Sequence, residues 1–193
     1  MSDEEFEAQL DEWYPSGRQT QPASWNDDTY NNPVQPVVGI CWYEARAYCA
    51  WLSAQMGQSF RLPTEAEWEA VARGSTGRRY AYGDNFDATR CNTFETHIHR
   101  TTPIGVFPGG ETPEGLVDMT GNTWDWTGSL YRPYPYEAGD GREDSTAEGR
   151  RVLRGGSFGD YSDLVRGAAR LPDVLDVRSA SEGFRVVVSP CLL

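Results

Sequence analysis

Residues 154–185 read RGGSFGDYSDLVRGAARLPDVLDVRSASEGFR. Two kinds of residue alternate in this stretch. Arg154-Gly155-Gly156-Ser157, Arg166, Arg170, Arg178 and Gly183-Phe184-Arg185 form a frame: its glycines permit turns closed to residues with a Cβ, and its arginines can lock loops to carboxylates through bidentate pairs. Between them lie Gly159, Asp160, Tyr161, Leu164, Ala169, Leu171, Val174, Val177, Ser179, Ala180 and Ser181. These follow neither the 3.6-residue nor the two-residue period of a core element, so they read as an exposed, chemically mixed patch held by a rigid frame.

Upstream of that patch, the strongest periodicity runs from Trp42 to Met56, where Ala45, Tyr48, Cys49, Leu52 and Met56 recur at helical spacing before Gly57. A second helix follows, with Thr64 as N-cap, Glu67 completing a capping box, Pro63 holding the preceding chain extended and Gly74 at the far end. Residues 2–13 form a short amphipathic pattern with Phe6, Leu10 and Trp13 on one face. Residues 14–36 are rich in Pro, Gly, Asn and Asp and read as an irregular wrapping segment anchored by Trp25 and Tyr30. Short β-prone runs appear at Val37–Ile40, Thr102–Phe107 and Val186–Val188. Residues 132–149 are the most solvated stretch and read as a mobile surface loop, or as a rim beside the C-terminal patch. Two early helices and late irregular β structure indicate an α+β domain with long loops.

A chain of 193 residues fits one domain. Such a chain can bury roughly 70% of its unfolded surface without disulfides. Its net charge is −12, from 29 carboxylates against 17 basic residues, all arginine. That balance argues against nucleic acid or an anionic membrane as partner. Cys41, Cys49, Cys91 and Cys191 show no zinc-ligand spacing and read as buried thiols. No apolar run reaches the ~20 residues of a membrane span, and the acidic start lacks signal-peptide character. A cytoplasmic setting is expected.

Several ordered pieces carry a family resemblance: PVVGICWYEARAYCAWL from Pro36, FRLPTEAEWEAVARG from Phe60, YAYGD from Tyr80, LVDMTGNTWDW from Leu116, RVLRGGSF from Arg151 and GFRVV from Gly183. Together they resemble the formylglycine-generating, or sulfatase-modifying factor, domain, a branch of the C-type lectin fold. The resemblance implies a C-type lectin-like α+β domain over residues 36–193, with residues 1–35 as a short helix and wrapping segment. Such domains usually open with strands ahead of the first helix, and almost nothing of that kind precedes Trp13.

Family members that oxidise a substrate cysteine to formylglycine carry two cysteines just after the Arg-Gly-Gly-Ser motif, where they bind copper(I), an ion that requires soft thiolates. The matching segment, Phe158 to Val165, contains no cysteine, so catalysis does not carry across and no copper is expected. An iron-dependent sulfoxide synthase branch needs a histidine cluster, whereas this chain has His97 and His99 alone. No serine or aspartate has a histidine base positioned beside it in the sequence, which leaves hydrolysis unsupported.

Asp118 and Asp125 flank a glycine-bearing turn, and calcium takes six to eight hard oxygen ligands. By resemblance to the family's calcium loop, the ligands are the Asp118 and Asp125 side chains and the Gly121 and Thr123 carbonyls, in a structural role. The other reading is that both aspartates cap turns or pair with arginines.

A narrower resemblance concerns residues 154–185, which look like the variable region of a diversity-generating retroelement protein, where adenine-directed mutagenesis rewrites asparagine codons in a lectin-type frame. Templates of that class resemble RGGSW, three asparagines, an LR-x-A-x-R stretch and an asparagine-rich run ending in GFR. At the matching positions stand Gly159, Asp160, Tyr161, Leu164, Ala169, Leu171, Val177, Ser179, Ala180 and Ser181. Each is reachable from an asparagine codon by changing its two adenines, and none is Lys, Glu, Gln, Met or Trp, which that route excludes. The resemblance implies a ligand-binding protein whose anchors are Tyr161, Leu164, Leu171 and Val174 and whose partner is a protein or glycan surface. The alternatives are a catalytically inactive structural relative and a formylglycine-generating-type oxidoreductase.

Overall fold

The computed structural model describes residues 19–188. Helix α1 spans Trp42–Met56 and ends where Gly57 takes the left-handed conformation. Strand β1 (Phe60–Arg61) leads into helix α2, Glu65–Arg73. Thr64 caps α2 through the Glu67 N–H, and the Glu67 side chain returns to the Thr64 N–H, which satisfies donors the first turn leaves open. Strands β2 (Trp124–Leu130), β3 (Arg151–Arg154), β4 (Leu171–Asp173), β5 (Glu182–Phe184) and β6 (Val187–Val188) follow.

Four strands make the central sheet in the order β4-β3-β2-β5, antiparallel except for the parallel β2–β5 pair. Because successive side chains alternate between faces, the register separates two sets. Trp124, Trp126, Leu153 and Phe184 share the face that packs with Trp42, Ala45 and Cys49 of α1. Asp125 and Arg154 share the other face, toward α2, where Trp68 and Ala72 pack with Ala81 and Met119. The sheet therefore lies between the two helices, and β1–β6 form a second small sheet. This is an α+β domain.

The structure departs from the sequence reading in several places. Val37–Ile40 does not form a strand: Gly39 is left-handed and single hydrogen bonds run from Ala23 N–H to Gly39 O and from Gly39 N–H to Ser179 O. Thr102–Phe107 is also irregular, because Thr102 N–H donates to the Asn122 side chain and Gly105 turns left-handed. The helical face of α1 is only partly core, with Tyr48 and Met56 exposed and Trp42 buried in their stead. Trp25 is exposed, and of the two expected anchors only Tyr30 has a ring partner among the described residues, Phe158 at 6.3 Å.

The solvated stretch 132–149 is fastened rather than loose. Arg151 donates to the Asp144 and Ala147 carbonyls at 3.0 and 2.7 Å, Glu143 accepts from Ser129, and the buried Arg142 pairs with Asp140 at 2.7 Å. The amphipathic pattern at 2–13 and Cys191 lie outside the described residues.

Candidate binding surface

The surface begins where β3 runs out. Arg154, its last residue, is fully buried, and its guanidinium donates to Glu69 at 2.5 Å and to the Gly167, Ala168 and Ala169 carbonyls at 3.0, 3.2 and 2.8 Å. Glu65, also fully buried, lies 3.5 Å from Arg154 and pairs with Arg170 as well. Two carboxylates of α2 thus hold both ends of the 154–170 loop through charge-assisted bonds. Gly156 (φ +75°) makes the turn: a Cβ there would sit 2.4 Å from Val165, the buried plug beneath the loop.

The later frame arginines follow the same logic. Arg178 forms two 3.0 Å bonds to Glu44 of α1, and Arg185 reaches Asp125 at 2.5 Å. Arg166 is the exception, exposed and, among the described residues, bonded only locally to the Asp163 carbonyl at 2.6 Å. The backbone between is also anchored, by Trp42 N–H to Leu175 O, Gly39 N–H to Ser179 O, Trp124 N–H to Ser181 O and Gly167 N–H to Arg79 O.

None of the eleven residues singled out between the frame positions is buried. Gly159, Tyr161, Leu164, Leu171 and Val174 are exposed; Asp160, Ala169, Val177, Ser179, Ala180 and Ser181 are half-buried. Nine of them fall into two groups by their neighbours. Residues 159–164 border the 80–97 region through Phe94 N–H to Asp160 O and Ser162 N–H to Glu95 at 2.8 Å, whereas 174–181 border residues 39–44. Asp160 differs from the rest, because its carboxylate accepts from both the Ser157 N–H and hydroxyl, at 2.9 and 2.6 Å, and so builds the loop.

Sequence reasoning missed the ring cluster beside Tyr161. Tyr161 packs on Phe94 with centroids 4.5 Å apart, and Phe94 meets His99 edge-on at 5.3 Å. His97 and His99 are exposed and left-handed (φ +58° and +56°), in a turn rather than a strand. The only sequence signal was the H-x-H pattern itself. Clefts of about 490 and 650 Å³ are lined by residues outside 154–185, and one of about 410 Å³ reaches this surface at Phe184.

Three of the oxygens that the resemblance assigns to calcium carry other hydrogen bonds. Asp125 accepts from Trp68 Nε1 at 2.8 Å and from Arg185, Asp118 accepts from the Gly105 N–H at 3.0 Å, and the Gly121 carbonyl accepts from the Thr123 N–H at 2.9 Å. Gly121 itself is required by packing, since a Cβ would fall 2.2 Å from the Asn92 carbonyl. Burial pushes the Asp118 carboxyl above its ordinary value. Among the described residues no cluster of three His, Cys, Asp or Glu side chains is arranged for a metal. Both side-chain bonds to Asp125 fall on its Oδ2, so Asp125 pairs with Arg185 while Asp118 fastens the turn at Gly105; calcium at Asp118, Gly121, Thr123 and Asp125 stays a proposal.

The described cysteines Cys41, Cys49 and Cys91 are buried and free, and burial raises each thiol above its ordinary range, Cys91 to about 11. No helix among the described residues is long and apolar enough to cross a membrane.

Residues 2–190 match the family model of the sulfatase-modifying factor enzyme 1-like domain. An inactive C-alpha-formylglycine-generating enzyme 2 from Bos taurus is 35% identical over 191 residues, covering 90% of this chain and 57% of that protein. A formylglycine-generating enzyme from Streptomyces coelicolor is 36% identical over 186 residues, covering 86% and 56%. The chain therefore spans a little over half the length of these curated relatives. Among solved structures, Treponema denticola variable protein 1 superposes with a TM-score of 0.69 at 24% identity, covering 79% of this chain and 70% of that one; the likeness establishes the fold.

Proposed function

The chain belongs to the sulfatase-modifying factor enzyme 1-like family, and from that premise we propose that it is a non-catalytic binding protein displaying a diversified surface between Arg154 and Arg185. One observation carries the reading. The loop is held by buried or half-buried arginines and by backbone bonds, while none of the eleven interspersed side chains is buried. Such a division lets side chains change without unfolding the frame.

Membership alone does not decide catalysis, because relatives named as inactive and as active enzymes are both similar to this chain. The absence of cysteine from residues 158–165 favours the inactive branch. Binding energy would concentrate in Tyr161, Leu164, Leu171 and Val174, since a few aromatic or aliphatic anchors usually dominate an interface. The patch is smaller than the roughly 800 Å² per side of a standard interface, so the Phe94–His99 flank or multivalency would supplement it. The partner is a protein or glycan surface; the net charge of −12 does not favour nucleic acid.

The decisive observation is in the surrounding DNA: an adenine-rich near-copy of the codons for 154–185 beside a reverse transcriptase gene. Its absence would leave an ordinary inactive relative. The oxidase alternative is tested by incubating copper-loaded protein with a cysteine-containing sulfatase peptide, where no formylglycine is expected.

A further inference from the structure

Two histidines stand in the turn beside Tyr161. The short 3-10 helix Phe94–Thr96 closes through the His97 N–H on the Phe94 carbonyl at 3.1 Å, and His97 and His99 then both take the left-handed conformation. The buried Asn92 fastens the far end of the turn, its Nδ2 donating to the Arg100 carbonyl at 2.8 Å. Both histidines are therefore carried by a backbone tied at each end.

The turn gathers the two imidazoles. Their ring centroids lie 6.0 Å apart at an interplanar angle of 59°, and Phe94 meets both edge-on, His97 at 6.2 Å and His99 at 5.3 Å. Both residues are exposed, and among the described residues neither imidazole takes part in a hydrogen bond or an ion pair. Two imidazoles that bind one ion at the usual ~2.0–2.1 Å bring their ring centres to about 5–6 Å, so the pair already stands near the spacing that chelation needs. The last torsion of a histidine is soft, and an exposed ring can turn a nitrogen toward its neighbour at little cost. The surroundings suit a cation: the chain carries a net charge of −12, and Glu95 of the same turn holds its carboxylate on the Ser162 N–H at 2.8 Å. Arg100, the adjoining basic residue, is exposed to solvent.

We propose that His97 and His99 chelate one late first-row divalent cation, of the zinc, nickel and copper class that imidazole suits, through one ring nitrogen each. Two protein ligands do not build a closed structural site; they hold an exchangeable ion whose remaining positions are filled by water. Tyr161 packs on the same Phe94 ring at 4.5 Å, so the open positions of the ion lie at the edge of the displayed surface. There the ion can accept a donor atom from a bound partner, a fixed contact beside positions whose side chains differ. That consequence rests on the display reading, but the metal site itself does not.

Zinc ion alone tests the site, titrated calorimetrically into the metal-stripped full chain without an affinity tag. One ion per chain should bind at neutral pH, and binding should weaken toward about pH 5, where protons compete for imidazole nitrogens. His97→Asn and His99→Asn should each lower the affinity by at least about tenfold, because a lone imidazole loses the second point of attachment. Asparagine tolerates the left-handed conformation, so both variants should keep the wild-type Tm and report on the ligands rather than on folding. Imidazole resonances of both histidines should shift together in NMR spectra as zinc is added. No binding up to millimolar zinc, or equal affinity in wild type and both variants, would overturn the proposal. No partner enters the experiment, so its failure would leave the display reading standing.

Discussion

Arg154→Met separates the frame from the surface it carries. The substitution keeps a long apolar stem but deletes a guanidinium with no solvent exposure. It leaves Glu65 to Arg170 alone and Glu69 to Arg73, and strips a charge-assisted donor from the Gly167, Ala168 and Ala169 carbonyls. Breaking a buried ion pair by removing one partner costs about 3–5 kcal/mol, because the remaining charge stays desolvated. In a domain of this size each kcal/mol moves Tm by roughly 2–4 °C, so a fall of about 6–20 °C is expected. Leu164→Ser is the contrast: Leu164 is 46% exposed. Losing half of a leucine's burial costs about 1 kcal/mol. Thermal and urea denaturation followed by circular dichroism would measure both. If Arg154→Met lowers Tm no more than Leu164→Ser, the ion network does not hold the loop and the division into frame and display collapses.

Two further outcomes follow from the same geometry. Adding EDTA to a metal-free-handled preparation should leave Tm within about 1 °C, since ligand linkage stabilises only where a site binds; a larger fall would restore the calcium reading of Asp118 and Asp125. In native protein a thiol reagent should leave Cys41, Cys49 and Cys91 unmodified by residue-resolved mass spectrometry, because buried, protonated thiols are poor nucleophiles. Rapid labelling of Cys91 would show that the loop over it opens readily.

What the sequence made legible was local. The bounds of α1 and α2 follow from signals within one helical turn of each end, the Thr64–Glu67 box and the glycines at 57 and 74. The frame arginines were legible as a type, since bidentate donors spaced among glycines have few other uses. Their partners were not: Glu65 lies 105 residues from Arg170, and Glu44 lies 134 from Arg178. The same distance effect hid the pairing of Asp125. Asp118-to-Asp125 resembles a ligand loop, and Arg185, 60 residues beyond Asp125, pairs with its Oδ2. Val37–Ile40 looked like a strand from composition, yet the Gly39 conformation and contacts with Ala23 and Ser179 leave no continuous ladder.

The hydrogen bonds also imply that the display positions are unequal. At Tyr161 or Leu164 the scaffold asks nothing of the side chain beyond partial packing, so any residue reachable from asparagine should leave the loop standing. Asp160 is different, because its carboxylate satisfies the Ser157 N–H and hydroxyl and so closes the turn that follows Gly156. Asn or Ser there retains an acceptor, while Val or Leu leaves a half-buried donor unpaired at about 1–3 kcal/mol. A targeted mutagenic process would sample both kinds of residue, and folding would then remove the second. Under the proposed display function the frame edits its own repertoire, and a collection of natural variants should be narrower in chemistry at 160 than at 161 or 164, although all three lie on one loop.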